Sequence, residues 1–298
     1  MKSGIINVYK EAGYTSFDVV AKLRGILGIK KIGHTGTLDP EATGVLPVCV
    51  GKATKVCDLL TDKDKIYRAV MHLGIVTDTQ DMTGQILATK PVDVTDTLVK
   101  DVLLSFVGES QQIPPMYSAL KVNGKKLCDL ARQGIEVERK PRDIYISEIK
   151  IKDISLPRVT FEVTCSKGTY IRTLCNDVGQ KLNCGACMES LVRTRVSRFL
   201  IEDSITLDEI QCLKEQGRLE EKMISVDALF EKFPKVYGIP SADGKLKNGN
   251  ALCKDEVKSD DDFTEENQSV RMYMSDGTFV GIFHWNGQVL KPEKMFLE

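Results

Sequence analysis

Residues Gly33 to Val48 read GHTGTLDPEATGVLPV and form the most unusual segment of the chain. The segment contains three glycines, three threonines and two prolines around one histidine and two carboxylates. It follows neither the 3.6-residue period of a helix nor the alternation of a strand, so it predicts an irregular loop. An apolar run follows directly, which places the aspartate of this loop, Asp39, beside a segment that we expect to be buried.

Asp39 lies between Leu38 and Pro40, and the proline favours extended backbone before it and stiffens the turn. Gly36 and Gly44 allow other atoms to approach the loop closely. A carboxylate fixed beside an apolar segment can act as a nucleophile or a general base. It can also cap the following turn through hydrogen bonds to the backbone. The loop alone leaves both roles open.

The bulk composition indicates a globular protein with a sizeable core. The chain has 298 residues, which predicts one large domain or a large and a small one. Its 42% hydrophobic content excludes global disorder. No apolar run approaches the ~20 residues of a membrane helix, and the first residues lack the apolar core of a signal peptide. We therefore expect a cytoplasmic protein that does not bind membranes.

Helix and strand patterns mix along the chain without a regular βαβ rhythm. Residues 65–73, 143–151 and 158–166 alternate as half-buried strands do, and the last two predict an antiparallel pair. Residues 171–182 form the clearest amphipathic helix. This mixture predicts an α+β fold with a largely antiparallel mixed central sheet flanked by helices.

Two shorter segments also show regular patterns. Leu98, Val102 and Phe106 share a helical spacing after Thr95, and residues 190–200 alternate so that Arg193 and Arg195 share one face. Beyond residue 235, short strand-like runs separated by Gly and Asn turns predict a small β-rich module. We therefore expect a large domain at 1–235 and a module at 236–298.

Charge is distributed unevenly although the net charge is only −1. Residues 115–142 hold seven basic and three acidic residues, whereas residues 254–266 hold seven acidic residues and two lysines. The basic segment predicts a face for an anionic partner, and the acidic run is interpreted as a solvated face.

Cysteine and histidine spacing gives little support to a metal site. The nine cysteines are expected to be free thiols, mostly buried. Cys184 and Cys187 have C-x-x-C spacing, but no second pair lies near them and the three histidines are scattered. Phosphate-loop, dinucleotide and zinc-protease motifs do not match either. We expect no metal and no cofactor.

Four segments match one known pattern in order and spacing. They are GHTGTLDPEATGVLPVCVGKATK (33–55), DKIYRAVMHLGIVTDTQDMTG (64–84), QQIPPMYSALKVNGKKLCDLARQGIEVERKPR (111–142) and CSKGTYIRTLCNDVGQKLNCGACMESLVRTRV (165–196). Together they resemble the bacterial type of the TruB family of tRNA pseudouridine synthases over residues 1–235. The C-terminal part is loosely similar to the PUA-like module of these enzymes.

The resemblance implies a pseudouridine synthase fold and an isomerase. Such an enzyme converts uridine 55 in the T-loop of tRNA to pseudouridine. The uridine flips out of its stack, the uracil detaches and turns, and its C5 is joined to the ribose. By resemblance Asp39 is the essential catalytic carboxylate, and no cofactor is needed because the substrate supplies every atom of the product.

The resemblance also assigns roles to five substrate-binding residues. Tyr67 stacks on the uracil, Tyr170 contacts the substrate, and Leu191 lines the pocket. Arg172 pairs with the catalytic aspartate, and His34 fills the stack vacated by the flipped base. Without the resemblance, each residue could be structural: a core or packing aromatic, a core leucine, a surface arginine or a loop histidine.

Residues 111–142 are similar to the thumb with which the family grips RNA. We expect its basic side chains to hold phosphates, which positions RNA without reading its sequence. The predicted RNA-binding residues are Lys121, Lys125, Lys126, Arg132, Arg139, Lys140 and Arg142. The expected partner is the T-arm of tRNA, bound by a monomer that needs no protein partner.

Two other functions stay open at this point. One is an RNA-binding or tRNA-folding factor without catalysis, against which the complete set of Asp39, Tyr67 and Arg172 argues. The other is the subunit of a guide-RNA-dependent pseudouridine synthase, against which the thumb and the short C-terminal module argue.

Overall fold

The structure is a computed structural model that describes residues 3–61, 63–259, 263 and 265–297. Its strands are β1 (Gly4–Lys10), β2 (Ile32–His34), β3 (Thr43–Val50), β4 (Lys65–Leu73), β5 (Ile75–Thr77), β6 (Ile86–Thr89), β7 (Gly108–Gln112), β8 (Lys121–Val122), β9 (Lys125–Lys126), β10 (Arg142–Ser155), β11 (Arg158–Cys165), β12 (Ala186–Val196), β13 (Phe199–Leu200), β14 (Met223–Ile224), β15 (Lys235–Gly238), β16 (Leu252–Cys253), β17 (Val257–Lys258), β18 (Ser269–Tyr273), β19 (Phe279–Trp285) and β20 (Val289–Met295). Its α-helices are α1 (Ser16–Leu27), α2 (Cys57–Thr61), α3 (Asp96–Leu104), α4 (Leu127–Ala131), α5 (Ile171–Lys181), α6 (Leu207–Glu215) and α7 (Asp243–Lys247).

A large mixed sheet forms the centre of the molecule, in the order β14-β1-β3-β12-β4-β11-β10-β7. β2 adds to β3, and β13 adds to β12. Its strand pairs are antiparallel except for the parallel pair β3–β12. The predicted α+β fold with a largely antiparallel central sheet is confirmed.

The apolar periodicities place helices on this sheet as the sequence predicts. In β4, Tyr67, Ala69 and Met71 alternate inward, and α5 buries Leu174 and Val178 in the same apolar cluster. α1 begins at the side-chain cap of Thr15 and ends at Gly28, whose φ of 68° is the left-handed value that glycine tolerates. α1 and α6 pack in a second apolar cluster with β1 and β3.

The helix expected after Thr95 is confirmed, because α3 begins at the side-chain cap of Thr95. Its buried positions are Val99 and Leu103, whereas Leu98 is 46% exposed and Phe106 follows the end of the helix at Leu104.

The prediction that Arg193 and Arg195 share one face is wrong. In β12, a register shift follows Arg193, which pairs with Tyr67, while Arg195 pairs with Ile66. Because neighbouring residues of β4 point to opposite faces, this bulge places Arg193 and Arg195 on opposite faces of the sheet.

The C-terminal segment forms a second sheet in the order β16-β20-β19-β18-β15-β17. This confirms the predicted β-rich module. The boundary between residues 235 and 236 stays a proposal, and it falls after the first residue of β15. Ile282 of this sheet and Phe296, which follows β20, share an apolar cluster with Ile5, Val45 and Phe199 of the central sheet. Of the acidic run, Asp260, Asp261 and Asp262 lie outside the described residues.

Among the described residues, no helix is both long enough and apolar enough to cross a bilayer.

Candidate active site

A pocket of about 380 Å³ lies where the loop before β3 meets β4, β12 and the start of α5. Five of the six predicted site residues line it: Asp39, Tyr67, Tyr170, Arg172 and Leu191. The fold therefore brings together five predicted residues that are as much as 152 positions apart, from Asp39 to Leu191.

Asp39 is held by a two-point ion pair with Arg172. Arg172 Nε lies 3.0 Å from Asp39 Oδ2, and its Nη2 donates to Oδ1 at 3.2 Å. This fork-to-carboxylate geometry fixes both oxygens in one orientation. The Arg172 side chain is 5% exposed and that of Asp39 is 38% exposed. The carboxylate therefore faces the pocket, and its counter-ion lies behind it.

The turn that follows Asp39 is closed by backbone groups. The Ala42 amide donates to the Asp39 carbonyl at 3.1 Å. The carboxylate instead pairs with Arg172, which favours the chemical role of Asp39 over the capping role that the loop alone left open.

Arg172 also ties two other segments to the site. Its Nη1 donates to the Thr79 carbonyl at 2.9 Å, and its Nη2 donates to the Tyr117 carbonyl at 2.8 Å. A second carboxylate, Asp81 Oδ2, lies 3.5 Å from Nη1. The guanidinium thus joins the loop of Asp39, the turn after β5 and the N-terminal part of the thumb. Asp81, to which the sequence assigned no role, is a second acidic neighbour of this arginine.

Burial raises the pKa of Asp39 above the ordinary aspartate value. The Arg172 guanidinium opposes this shift, and the Asp81 charge adds to it. A carboxylate with a raised pKa is a stronger base when it is ionised, which suits a group that exchanges a proton or forms a bond.

Tyr67 and Leu191 form part of the wall of the pocket. Both are largely buried, Tyr67 on β4 and Leu191 on β12. Burial raises the pKa of the Tyr67 hydroxyl, and the adjacent Arg193 guanidinium partly offsets this effect. The ring of Tyr67 therefore presents a protonated phenol at neutral pH.

Arg193 was missed as a site residue, although it organises the loop that carries Asp39. It is 1% exposed, and its Nε donates to the Val45 carbonyl at 2.7 Å. Nη2 donates to the Gly36 carbonyl at 3.2 Å, and Nη1 donates to that of Thr37 at 3.4 Å. The sequence signal that could have identified Arg193 is a charged residue at an inward position of an alternating strand. Buried charges are rare unless they are paired.

Gly44 is required where this loop enters β3. Its φ is +105°, and a Cβ added there would overlap the carbonyl oxygen of Arg193 and lie 3.0 Å from the Arg193 nitrogen. The parallel β3–β12 contact pairs these two residues directly. Only a residue without a side chain allows the two backbones to approach this closely.

We expect Gly44→Ala to destabilise the protein by roughly 2–4 kcal/mol and to lower turnover, because the β12 backbone must move away from the loop. Gly217→Ala is the matched control, since Gly217 also has a positive φ of 69° but has open space around its Cβ position. Thermal unfolding of both variants separates the clash from the backbone strain. Equal melting temperatures would contradict the close-approach explanation.

Lys10 also holds the loop that carries Asp39. It is fully buried, and its Nζ donates to the carbonyls of Pro40 at 2.8 Å and Ala42 at 2.6 Å. Burial lowers the pKa of Lys10 to about 8, although Glu41 and Asp39 raise it. Lys10 lies two residues after Val8 on an apolar strand, and this inward position is the sequence signal that could have identified it.

Tyr170 is held by a side chain that the sequence did not single out. The Gln112 amide accepts from the Tyr170 N–H at 2.8 Å and donates to the Tyr170 carbonyl at 3.0 Å. Gln112 is buried and ends β7, where the thumb segment begins. The base of the thumb and the first residue of the α5 region are therefore joined by a paired hydrogen bond.

His34 is the predicted site residue that does not line the pocket. It ends β2, and its Nδ1 accepts from the Gly36 N–H at 3.2 Å. Burial lowers its pKa, and the Arg193 charge lowers it further. A neutral ring at the edge of the loop is compatible with the role implied by resemblance, which stays a prediction.

The thumb contains a short hairpin and a helix. β8 and β9 are joined by Asn123-Gly124, both with positive φ, and α4 follows. An Asn-Gly pair favours such a tight turn because both residues tolerate a positive φ. Six of the seven predicted RNA-binding residues are exposed, namely Lys121, Lys125, Lys126, Arg132, Lys140 and Arg142.

Arg139 differs from the other six thumb residues because its guanidinium has internal partners. Its Nη1 donates to the Pro114 carbonyl at 3.2 Å, and its Nη2 donates to Glu136 at 3.0 Å. Its side chain is only 21% exposed. These contacts support a role in closing the base of the thumb.

Cysteines and other metal-binding side chains are dispersed over the fold. All nine cysteines are free thiols, and five of them, including Cys184 and Cys187, are buried. In the part of the chain that the structure describes, no three His, Cys, Asp or Glu side chains are arranged to hold a metal ion.

Comparison with known proteins shows the family to which the chain belongs. Residues 24–171 match the model of the TruB family pseudouridylate synthase N-terminal domain, and residues 172–231 match the tRNA pseudouridylate synthase B C-terminal domain. The tRNA pseudouridine synthase B of Lachnoclostridium phytofermentans is 52% identical over 99% of this chain and 100% of that protein. The protein of the same name from Clostridium novyi is 45% identical over 99% of this chain and 100% of that protein.

A solved structure shows the same fold. An H/ACA RNP bound to a substrate RNA containing 2'-deoxyuridine contains a chain that matches with a TM-score of 0.71 and 27% identity, over 99% of this chain and 85% of that one. The family models and the full-length relatives agree with one another. This chain is a member of the TruB family of pseudouridylate synthases.

Proposed function

We propose that this protein isomerises uridine 55 in the T-loop of tRNA to pseudouridine and that Asp39 is its catalytic residue. The observation that carries the proposal is the Asp39 carboxylate, aimed into the pocket by the two-point contact with Arg172. The full-length relatives named tRNA pseudouridine synthase B support tRNA as the substrate.

The reaction breaks one bond and forms another within the same nucleotide. The N1–C1′ bond of the uridine breaks, the C5–C1′ bond forms, C5 loses its proton, and N1 gains one. The atoms balance without a co-reactant. Asp39 either attacks the sugar–base unit or deprotonates it, and its ionised form is required in both cases.

The remaining pocket residues bind and orient the detached base. The ring of Tyr67 offers a flat apolar face on which uracil can stack, and Leu191 closes the adjoining wall. Tyr170, fixed by Gln112, contributes a second aromatic ring. Arg172 opposes the rise in the pKa of Asp39 and orients its carboxylate.

The exposed basic residues of the thumb are proposed to hold phosphates of the T-arm, together with its hairpin. We further propose that the protein acts as a monomer in the cytoplasm, where its tRNA substrate is found. The structural neighbour belongs to an RNA–protein complex, so a subunit of such a complex is the second candidate function.

Release of C5 tritium tests the proposed reaction. A tRNA transcript that carries tritium at C5 of its uridines is incubated with the purified protein alone. We expect release of one tritium per tRNA, and none from a transcript with cytidine at position 55. Binding of tRNA without release would favour the non-catalytic RNA-binding factor, and release that requires added proteins would favour the complex subunit.

Activity is expected to fall at acidic pH, because protonation removes the reactive form of Asp39. Since burial raises its pKa, the acid limb of kcat/KM should lie above the pH expected for an exposed aspartate, whose pKa is about 3.9. Melting temperature and tRNA affinity at each pH serve as controls. An acid limb at or below the ordinary aspartate value would contradict the account of this carboxylate.

A further inference from the structure

Two cysteine thiols lie side by side in the core, outside the pocket. Cys49 belongs to β3 and is fully buried, whereas Cys57 is the first residue of α2 and is half-buried. Both pack in the apolar cluster that contains Ile5 and Val45. Neither cysteine lines the pocket around Asp39, so the proposed reaction gives them no role.

Gly33 leaves room for the Cys57 sulfur beside Cys49. Gly33 lies directly opposite Cys49 in the β2–β3 pair, and opposite residues of an antiparallel pair point to the same face with Cβ atoms about 5 Å apart. Cys57 Sγ lies 3.3 Å from the position that a Cβ at Gly33 would occupy. The sulfur is therefore on the face of the sheet that carries the Cys49 side chain, and the Cys49 S–H donates a hydrogen bond to it.

This hydrogen bond makes the two thiols chemically unequal. It lowers the pKa of Cys57, although burial opposes the effect, and it raises the pKa of Cys49. Burial also raises the pKa of four other cysteines, Cys165, Cys175, Cys184 and Cys187. Because the thiolate is the reactive form and needs access to solvent, Cys57 is the attacking member of the pair.

We propose that Cys57 and Cys49 form an oxidation site that reacts with hydroperoxides and closes to a reversible disulfide. Cys57 is the thiol that the peroxide oxidises, and Cys49 is the thiol that resolves the product. Sulfur atoms already in hydrogen-bond contact need only a small shift to reach the roughly 2.0 Å of an S–S bond. The inference is independent of the proposed function.

The reaction takes place in two steps, and hydrogen peroxide is the oxidant. The Cys57 thiolate attacks one oxygen, the S–O bond forms, the O–O bond breaks, and hydroxide leaves to give a sulfenic acid. Cys49 sulfur then attacks Cys57 sulfur, the S–S bond forms, the S–O bond breaks, and the hydroxyl leaves as water with the Cys49 proton. Overall, two thiols lose two electrons to one peroxide, which is reduced to two waters.

The test follows the thiols of the reduced full-length protein during exposure to hydrogen peroxide. Remaining thiols are alkylated with N-ethylmaleimide, and the protein is digested without reductant so that linked peptides are identified by mass. The unsubstituted protein is compared with Cys57→Ser and Cys49→Ala. The matched control is Cys212→Ser, which removes an exposed thiol elsewhere. Melting temperature is measured for each variant.

We expect one intramolecular disulfide, between Cys49 and Cys57, that forms at a rate independent of protein concentration and is reversed by dithiothreitol. Cys57→Ser should slow the loss of the Cys49 thiol by at least about tenfold, because the attacking thiolate is gone. Cys49→Ala should leave Cys57 as a sulfenic acid that dimedone traps, because no thiol resolves it. Cys212→Ser should form the disulfide at the unsubstituted rate.

Absence of a linked Cys49–Cys57 peptide would overturn the proposal, whichever other thiols had reacted. Loss of the Cys49 thiol at the unsubstituted rate in Cys57→Ser would reject Cys57 as the attacking residue. If Cys49→Ala does not fold, the peptide map of the unsubstituted protein and the rate measured for Cys57→Ser still decide between these outcomes.

Discussion

Asp39→Asn should reduce pseudouridine formation by about 10³-fold or more, because it removes the oxygen that attacks or deprotonates the substrate. The amide is nearly isosteric with the carboxylate. Arg172 keeps its bonds to the Thr79 and Tyr117 carbonyls, so we expect a folded protein. Affinity for tRNA should change little, because binding rests largely on phosphate contacts.

Glu41→Gln is the matched control for Asp39→Asn. Glu41 is exposed, lies two residues away in the same loop, and the substitution removes the same charge. We expect nearly full activity from this variant. Melting temperature, tRNA affinity and tritium release are measured on the same samples. An active, well-folded Asp39→Asn protein would reject Asp39 as the catalytic residue.

Arg172→Lys should lower turnover by roughly 10²-fold or more, although it keeps the positive charge. A lysine cannot reproduce the two-point contact with Asp39 together with the bonds to two carbonyls. Arg172 also lowers the pKa of Asp39, so its loss should raise that pKa further. The acid limb of the activity profile of Arg172→Met should therefore move to higher pH.

The control for Arg172→Lys is Arg158→Lys, which changes a two-point arginine–glutamate pair at the surface. Arg158 Nε donates to both Glu189 oxygens, at 2.8 and 3.0 Å, and its side chain is 56% exposed. Exposed pairs contribute about 0–1 kcal/mol, so this variant should behave like the unsubstituted protein. If Arg172→Lys kept full turnover and Arg172→Met an unshifted acid limb, Arg172 would not be positioning Asp39.

The local periodicities were sufficient to predict β4, β10, β11 and α5, whose apolar patterns are clear. Periodicity failed where tertiary contacts decide the outcome. The bulge after Arg193 depends on pairing with β4, and no local pattern reports it.

The site also contains residues that the sequence predicted and residues that it did not. Asp39 and its partners were predicted from motifs that the chain shares with a family, while their distances depend on the fold. Lys10 and Arg193 were missed because both are buried cations whose partners are backbone carbonyls. Any residue can supply a backbone carbonyl, so the sequence does not show which acceptors these two side chains bind. Their contacts are apparent only in the folded structure.

Position-specific mapping of pseudouridine in one purified tRNA tests the central claim most directly. The unmodified transcript is incubated with the purified protein and no other protein, and each uridine is then assayed by mass mapping after chemical labelling. The account predicts close to one pseudouridine per tRNA at position 55, and none in a parallel reaction with Asp39→Asn. Modification at other positions only, or equal modification by both proteins, would contradict it.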